Sequence, residues 1–377
     1  MDPRPTRPAE FAEVMDFIDL VFRPGQSGRF ILRSNYPHAY RPQDARRILL
    51  LREGGQIAGC LAVHPLTLRL EEARLEAGGI GAVGTHPEQR GKGIMGALLT
   101  AAIQRMRRAG YPLSVLCGDR QRYGWFGWEK AGVQQSLTLT ARQWGPPSPA
   151  ERRLHLQRFA PSPALCRRLQ QLDQEHPYGV ERPLREIPLL FARVGRQTWT
   201  CCEGDRLAYL TLQRAGRSRQ GSFEVLDEAG GDPELARAML RVLMARHRLT
   251  RLQAIIGPNP AQLDLLLPGS SYWSRECAGM VKILDLGLLV QLLLPLLRRK
   301  ARAAGVGGRF RLIGPEQEAS LDLGQGRSFR LELDDRELVA LFFGLQPLTE
   351  RFAGHPAVGA LARVLPLPLY IPPLNHI

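Results

Sequence analysis

The residues with the most definite chemistry are Arg90, Gly91, Lys92 and Gly93. They lie in the run Val83-Gly84-Thr85-His86-Pro87-Glu88-Gln89-Arg90-Gly91-Lys92-Gly93-Ile94-Met95-Gly96. After this run, Ile94, Leu98 and Ala102, with Met95, Leu99, Ile103 and Met106, recur at the spacing of one helix face. A glycine-rich turn opening a helix exposes backbone N–H groups, and the helix dipole favours an anion there. Gly91 and Gly93 let the backbone approach a pyrophosphate, and Arg90 and Lys92 add charge. The run has no G-K-[ST] of a P-loop and lacks the G-x-G-x-x-G spacing of a dinucleotide fold.

The elements that position this loop belong to the first of three segments, residues 1–145. Residues 8–21 have a helical pattern, 47–52 and 56–70 read as strands, and 77–83 as a Gly-rich strand before the loop. Gly110 and Pro112 stop the helix, a strand follows at 113–117, and the linker Gly145-Pro146-Pro147-Ser148-Pro149 closes the segment. Residues 150–285 repeat this order weakly, with strand patterns at 198–202, 207–213 and 222–226, a helix near 233–247 and a strand at 252–256. In the position of the basic loop this segment has Glu228-Ala229-Gly230-Gly231-Asp232, which reads as an acidic loop and a poor phosphate cradle. Residues 286–377 begin with an apolar helix ending in Arg298-Arg299-Lys300. Alternating strands follow at 310–313, 320–323 and 329–333, then a helix through Phe343 capped by Asp334 or Asp335.

Composition excludes several classes. The net charge is +15, yet residues 1–145 hold 20 Lys+Arg against 13 Asp+Glu and the remainder 31 against 23. The excess is spread along the chain and lacks the clustered patch that nucleic-acid binding would use. None of the six cysteines has a zinc-like spacing, so no metal site is expected, and a reduced, cytoplasmic protein is the plain reading. The start MDPRPTRPAE has no apolar stretch of a signal peptide. The apolar run 284–297 is interrupted by Asp285, Gln291 and Pro295 and is too short to span a bilayer, so no membrane partner is expected.

Arg90-Gly91-Lys92-Gly93-Ile94-Met95 resembles the [Q/R]-x-x-G-x-[G/A] signature of the GNAT superfamily of N-acetyltransferases, with Met95 in place of the small last residue. The run Gly118-Asp119-Arg120-Gln121-Arg122-Tyr123-Gly124-Trp125-Phe126-Gly127 is similar to a Tyr-Gly-Arg-Phe-Gly block, with Trp125 in place of the arginine. That block belongs to the multidomain enhanced-intracellular-survival proteins, which are aminoglycoside acetyltransferases. The resemblance implies an α/β (α+β) fold: a catalytic GNAT domain over 1–145, a degenerate GNAT-like domain over 150–285, and a sterol-carrier-like domain with a C-terminal arm over 286–377. It implies acetyl-CoA as donor. The pyrophosphate would lie on Arg90, Gly91, Lys92, Gly93, Ile94, Met95 and Gly96, and the pantetheine arm between the strands that carry Val83, Gly84, Thr85, Gly118 and Asp119.

Acetyl transfer needs a neutral amine, a stabilised oxyanion and a proton for the leaving thiolate. The Val83 N–H is the candidate oxyanion donor, and the resemblance makes Tyr123 the general acid. His86 reads as a solvated turn residue and Cys117 as a strand thiol without a base. The apolar end, Leu365-Pro366-Leu367-Pro368-Leu369-Tyr370-Ile371-Pro372-Pro373-Leu374-Asn375-His376-Ile377, contains four prolines and reads as a docked arm. The resemblance adds that the main-chain carboxylate of Ile377 reaches the active site. The expected acceptor is a primary amine of a small molecule, aminoglycoside- or polyamine-like, or a lysine side chain. A homo-oligomer is compatible with this reading. The alternative is a non-catalytic lipid- or acyl-CoA-binding protein using the third segment.

Overall fold

The structure, a computed structural model, describes residues 2–22, 32–214, 223–346, 348, 352 and 354–376. Its largest sheet is built around a long hairpin, Gln56–Leu70 with Ala73–Thr85, flanked on one side by Ile48–Glu53 and on the other by Leu113–Leu116. Alternation sorts the two faces of this sheet. Leu61 and Val63 pack under the helix Ile94–Arg108, while Cys60 and Ala62 pack under the helix Phe11–Phe22. The Ile94–Arg108 helix lies very close to the sheet because Gly59 and Gly78 have no side chain. A Cβ on Gly59 would sit 2.6 Å from Ile94, and one on Gly78 2.2 Å from the Met106 sulfur.

Sheet membership departs from the segment boundaries drawn at 145 and 150. The strand Gln134–Thr140 leaves the first sheet and pairs with Arg251–Ile256 and Ser270–Glu276 in the second. In return, Gly279–Ile283 crosses into the first sheet, between Leu113–Leu116 and Glu129–Ala131. The exchange is reciprocal: each strand fills the place beside the second member of a parallel pair, Leu113–Leu116 in one sheet and Arg251–Ile256 in the other. A strand adjacent in sequence could fill either place. Long-range pairing with a complementary apolar face decides which one does.

The loop expected at 228–232 is also not a loop. Glu228 to Gly231 continue the strand Phe223–Gly231, paired as Gly230↔Tyr209 and Gly231↔Ala208, and only Asp232 separates that strand from the helix Pro233–Arg246. The strand pattern that began at 222 starts on a residue outside those described.

Residues 286–376 do not form an isolated core. Leu286, Leu289, Leu293 and Leu297 of the helix Leu286–Ala304 share one cluster with Leu68, Leu75 and Val115 of the first sheet and with Leu365, Leu367 and Leu369 of the arm. The apolar face of this helix is therefore consumed in packing. Arg299 and Lys300 at its end pair with Glu71, Lys300 at 2.7 Å. Asp334 caps the next helix, Asp335–Phe343. No helix among the described residues is long and apolar enough to cross a membrane.

Candidate active site

The strand Ala73–Thr85 pairs in parallel with Leu113–Leu116 from Ala77↔Leu113 to Ile80↔Leu116, and there the ladder ends. Beyond Ile80 the first strand stays with the hairpin partner, Gly81 opposite Ala62 and Gly84 opposite Cys60. A cleft therefore opens between the two strands. At its mouth Ala82 and Val83 together oppose the single Leu61, a β-bulge with Ala82 at φ 47°. A bulge leaves a strand residue unpaired, which is how a backbone N–H in this cleft becomes free for a ligand. The candidate oxyanion donor Val83 lies in this bulge.

The loop after Thr85 places the glycines at the start of the helix. Gly91 and Gly93 have φ of 80° and 76°, the left-handed region that other residues avoid, and a Cβ on either would meet no atom within 4 Å. The space beside each is open. Gly93 is the N-cap of Ile94–Arg108, no side chain caps it, and no acid lies in the first turn. Ala97 N–H is bonded to Gly93 O at 3.0 Å, so the N–H groups of Ile94, Met95 and Gly96 precede the first helical bond. Lys92 reaches back to Gln89 Oε1 at 2.6 Å, and Arg90 is exposed with no ion pair among the described residues. His86 caps the short turn Pro87–Gln89 through Nδ1, which accepts from Glu88 N at 3.3 Å, a structural use.

The other wall of the cleft carries Tyr123. Asp119 caps the turn Arg120–Tyr123, accepting from Gln121 N at 2.9 Å, and Tyr123 folds back onto Gly118. A Cβ on Gly118 would lie 2.4 Å from the Tyr123 ring, so the glycine is there to admit that ring. Among the described residues no group is hydrogen-bonded to the Tyr123 hydroxyl. Burial, slightly offset by Arg122, pushes this phenol up from its ordinary value and keeps it protonated. The Cys117 thiol is exposed, but desolvation by the surrounding chain, offset by the charge of Lys130, pushes it up, opposite to what a nucleophile needs. Trp125 is 86% exposed beside the site.

The sequence reading missed the groups that brace this wall. Glu129 accepts two 2.6 Å bonds from Arg120, and Lys130 donates to Gly118 O at 3.0 Å. Arg336 of the third segment donates to Gly124 O at 3.3 Å. Only the nearness of Arg120 to Glu129 in sequence hinted at any of this. Ile377, the other expected catalytic residue, lies outside the described residues. The structure thus brings Val83, Gly84 and Thr85, the loop Arg90 to Gly96, and Gly118, Asp119 and Tyr123 around one cleft.

An uncapped helix behind left-handed glycines thus stands beside a bulge and two parallel strands whose ladder ends at Ile80. Residues 2–131 match the family model described as an acetyltransferase (GNAT) domain. The part of the chain that holds this site is thus similar to a GNAT acetyltransferase domain. A search of curated proteins gives no match. Among solved structures, the chain is similar over its full length to a GCN5-related N-acetyltransferase from Anabaena variabilis, with TM-score 0.69, 16% identity and 100% of both chains covered. A GCN5-related N-acetyltransferase from Kribbella flavida gives 0.68 at 16% identity, covering 100% of this chain and 98% of that one. Eis1 from Mycobacterium abscessus gives 0.65 at 15%, with 100% of both chains covered. At these identities the likeness is one of fold.

Proposed function

We propose that this chain moves an acetyl group from acetyl-CoA to a primary amine by direct attack in the cleft between Ala73–Thr85 and Leu113–Leu116. The observation that carries the reading is the N-terminus of Ile94–Arg108, uncapped and fronted by two left-handed glycines with open space beside them. Gly91 to Gly96 would hold the pyrophosphate through backbone N–H groups, with Arg90 and Lys92 adding charge. Val83, Gly84 and Thr85 would line one side of the pantetheine arm, and Gly118 and Asp119 the other. Acetyl-CoA supplies an activated thioester.

The remaining chemistry falls to the chain. The bulge N–H at Val83 stabilises the oxyanion as the amine nitrogen bonds to the carbonyl carbon. As the C–S bond breaks, Tyr123 donates its hydroxyl proton in a hydrogen bond to the sulfur. Burial pushes the Tyr123 phenol up, making it a weaker acid than an ordinary thiol, so complete transfer is uphill and Tyr123 stabilises the departing thiolate more than it neutralises it. The nitrogen loses its extra proton to water.

Calorimetric titration with acetyl-CoA, followed by assay of CoA release with an amine panel, tests the reading. One binding site and amine-dependent release are expected; a folded protein that binds no acetyl-CoA overturns it.

A further inference from the structure

On the sheet face covered by Phe11–Phe22, both ring nitrogens of His38, both of His64 and the Tyr40 hydroxyl are buried without a hydrogen-bond partner among the described residues. His64 is 3% exposed, His38 7% and Tyr40 2%. The Tyr40 ring meets His64 edge-on at 4.8 Å, and Tyr36 stands 6.2 Å from Tyr40. Arg193 lies 4.2 Å from the Tyr36 ring and is itself 2% exposed. Its guanidinium donates to Pro373 O and Leu374 O at 3.2 and 3.0 Å, while its Nε has no partner and no carboxylate among the described residues pairs with it. Buried polar groups are ordinarily satisfied, so such a concentration of unsatisfied ones marks a place where something polar binds.

The cluster lies beside the cleft. His64 is opposite Gly79 and Ala62 opposite Gly81, and opposed residues share a face, so the strand presents bare backbone to His64 just where the ladder ends at Ile80. The phosphate loop and its helix occupy the other face. A donor threaded from that loop leaves the His64 face for the incoming amine.

We propose that His38, Tyr40, His64 and Arg193 hold the non-reacting end of the amine acceptor, and that this end carries a carboxylate. The inference rests on the acetyl-transfer reading and names the acceptor class for that site. A buried guanidinium with no acid at ion-pair distance among the described residues, and only the more distant charge of Asp227 in its field, favours an anion. The imidazoles add neutral donors: burial, with the charge of Arg193 on His38 and of Arg47 on His64, holds both down to about 3. The nearby acids already face arginines: Asp227 faces Arg196 at 2.9 Å, Asp173 and Glu228 face Arg182, and Asp44 faces Arg41 at 2.6 Å. Glu186 sits in the field of Arg185 and Arg41. Among the described residues Glu186 has no ion pair, and burial pushes its carboxyl up, which disfavours the charge a second ammonium would need.

The test uses amines that differ at one end only: 6-aminohexanoate, 6-aminohexanol and 1,6-diaminohexane, with 4-aminobutanoate and 1,4-diaminobutane as a shorter pair. In the full chain saturated with acetyl-CoA, kcat/KM for the amino acid should exceed that for the matched diamine at least tenfold in one of the two lengths. Calorimetry with CoA present should show the amino acid binding more tightly. Arg193→Met should raise KM for the amino acid at least tenfold more than for the diamine, and Arg193→Lys should restore part of the difference. Unchanged acetyl-CoA affinity in both variants shows that the fold survives. If Arg193→Met does not fold, the wild-type ranking and His38→Asn, expected to narrow the same preference, decide the matter. A diamine used as well as its amino acid, or a preference untouched by substitution, overturns the carboxylate subsite and leaves acetyl transfer standing. Acetyl-CoA binding without transfer to any amine overturns both.

Discussion

Two parallel strand pairs in this chain part in the same manner, and one of them leads to a helix N-terminus that no side chain caps. In the first sheet the pairing stops at Ile80↔Leu116; in the second, Phe223–Gly231 and Arg251–Ile256 pair only at Val225↔Gln253 and Leu226↔Ala254. Each second strand is followed by a glycine pressed against a tyrosine, Gly118 on Tyr123 and Gly257 on Tyr370, with a hypothetical Cβ 2.4 Å from the ring in both. A side-chain-capped turn follows each, through Asp119 and Asn259.

The differences are local. The first pair continues through an exposed loop to an uncapped helix. The second passes through Asp232 alone, whose carboxylate caps Pro233–Arg246 by accepting from Leu235 N at 2.8 Å, with Glu234 in the first turn. The second cleft is also filled. Tyr370 of the arm packs on Gly257 beside Asp227 and Glu228, and Gln262 donates to Ala229 O at 2.5 Å. Two similar strand frames thus differ in whether an acid caps the following helix and a side chain fills the gap.

The sharpest way to break this comparison is one substitution made in both places. Gly231 has φ 88°, and a Cβ there would sit 2.1 Å from the Leu207 carbonyl oxygen, which is backbone and cannot yield. Gly231→Val should therefore cost ~4 kcal/mol or more and give little folded protein. Gly93→Val meets open space and only conformational strain of ~1–2 kcal/mol. It should melt within several degrees of the parent by calorimetry while acetyl-CoA affinity falls about 100-fold or more, a loss of ~3 kcal/mol. Acetyl-CoA affinity retained by folded Gly93→Val would remove the distinction between the clefts.

Emptying the second cleft sharpens the comparison next. Tyr370→Ala should lower stability by ~3–5 kcal/mol in denaturant unfolding, the scale for a buried aromatic. The acetyl-CoA stoichiometry should stay at one. A second bound equivalent would show that the tyrosine, and not the missing loop, keeps ligand out.

Tyr123→Phe probes the buried tyrosine packed on Gly118. Turnover should fall by about 10²-fold at unchanged acetyl-CoA affinity, the scale of a lost general acid. Because burial pushes this phenol up, it stays protonated throughout the range below the ordinary phenol value, and wild-type kcat should not fall with rising pH there. Unchanged turnover in the variant would make both tyrosines packing residues.

The smallest effect is expected from Asp232→Ala. Loss of the cap should cost about 1 kcal/mol in thermal unfolding and create no acetyl-CoA site, since the second frame still lacks the glycine loop. New acetyl-CoA binding in this variant would mean that the acid alone had closed the second site.

The phosphate loop was legible in the residues themselves. A glycine turn, two basic residues and a helical apolar face are all local, and conformational preference plus periodicity act within a few residues. The strands from Ile48 to Leu116, the helix over Pro233–Arg246 and a cap at Asp334 or Asp335, which the structure places on Asp334, were legible for the same reason. Glu228 to Gly231 misled because paired glycines look like a turn, whereas here they accommodate Tyr209 and the Leu207 backbone across a ladder. The exchange of Gln134–Thr140 for Gly279–Ile283 left no mark in either segment, because strands of similar pattern compete for a place and only the assembled sheets choose between them. Nor could the residues alone assemble His38, Tyr40, His64 and Arg193. His38 and Tyr40 share one short stretch, but His64 and Arg193 come from elsewhere in the chain, and the nearness and lack of partners of the four exist only once the chain has packed around them.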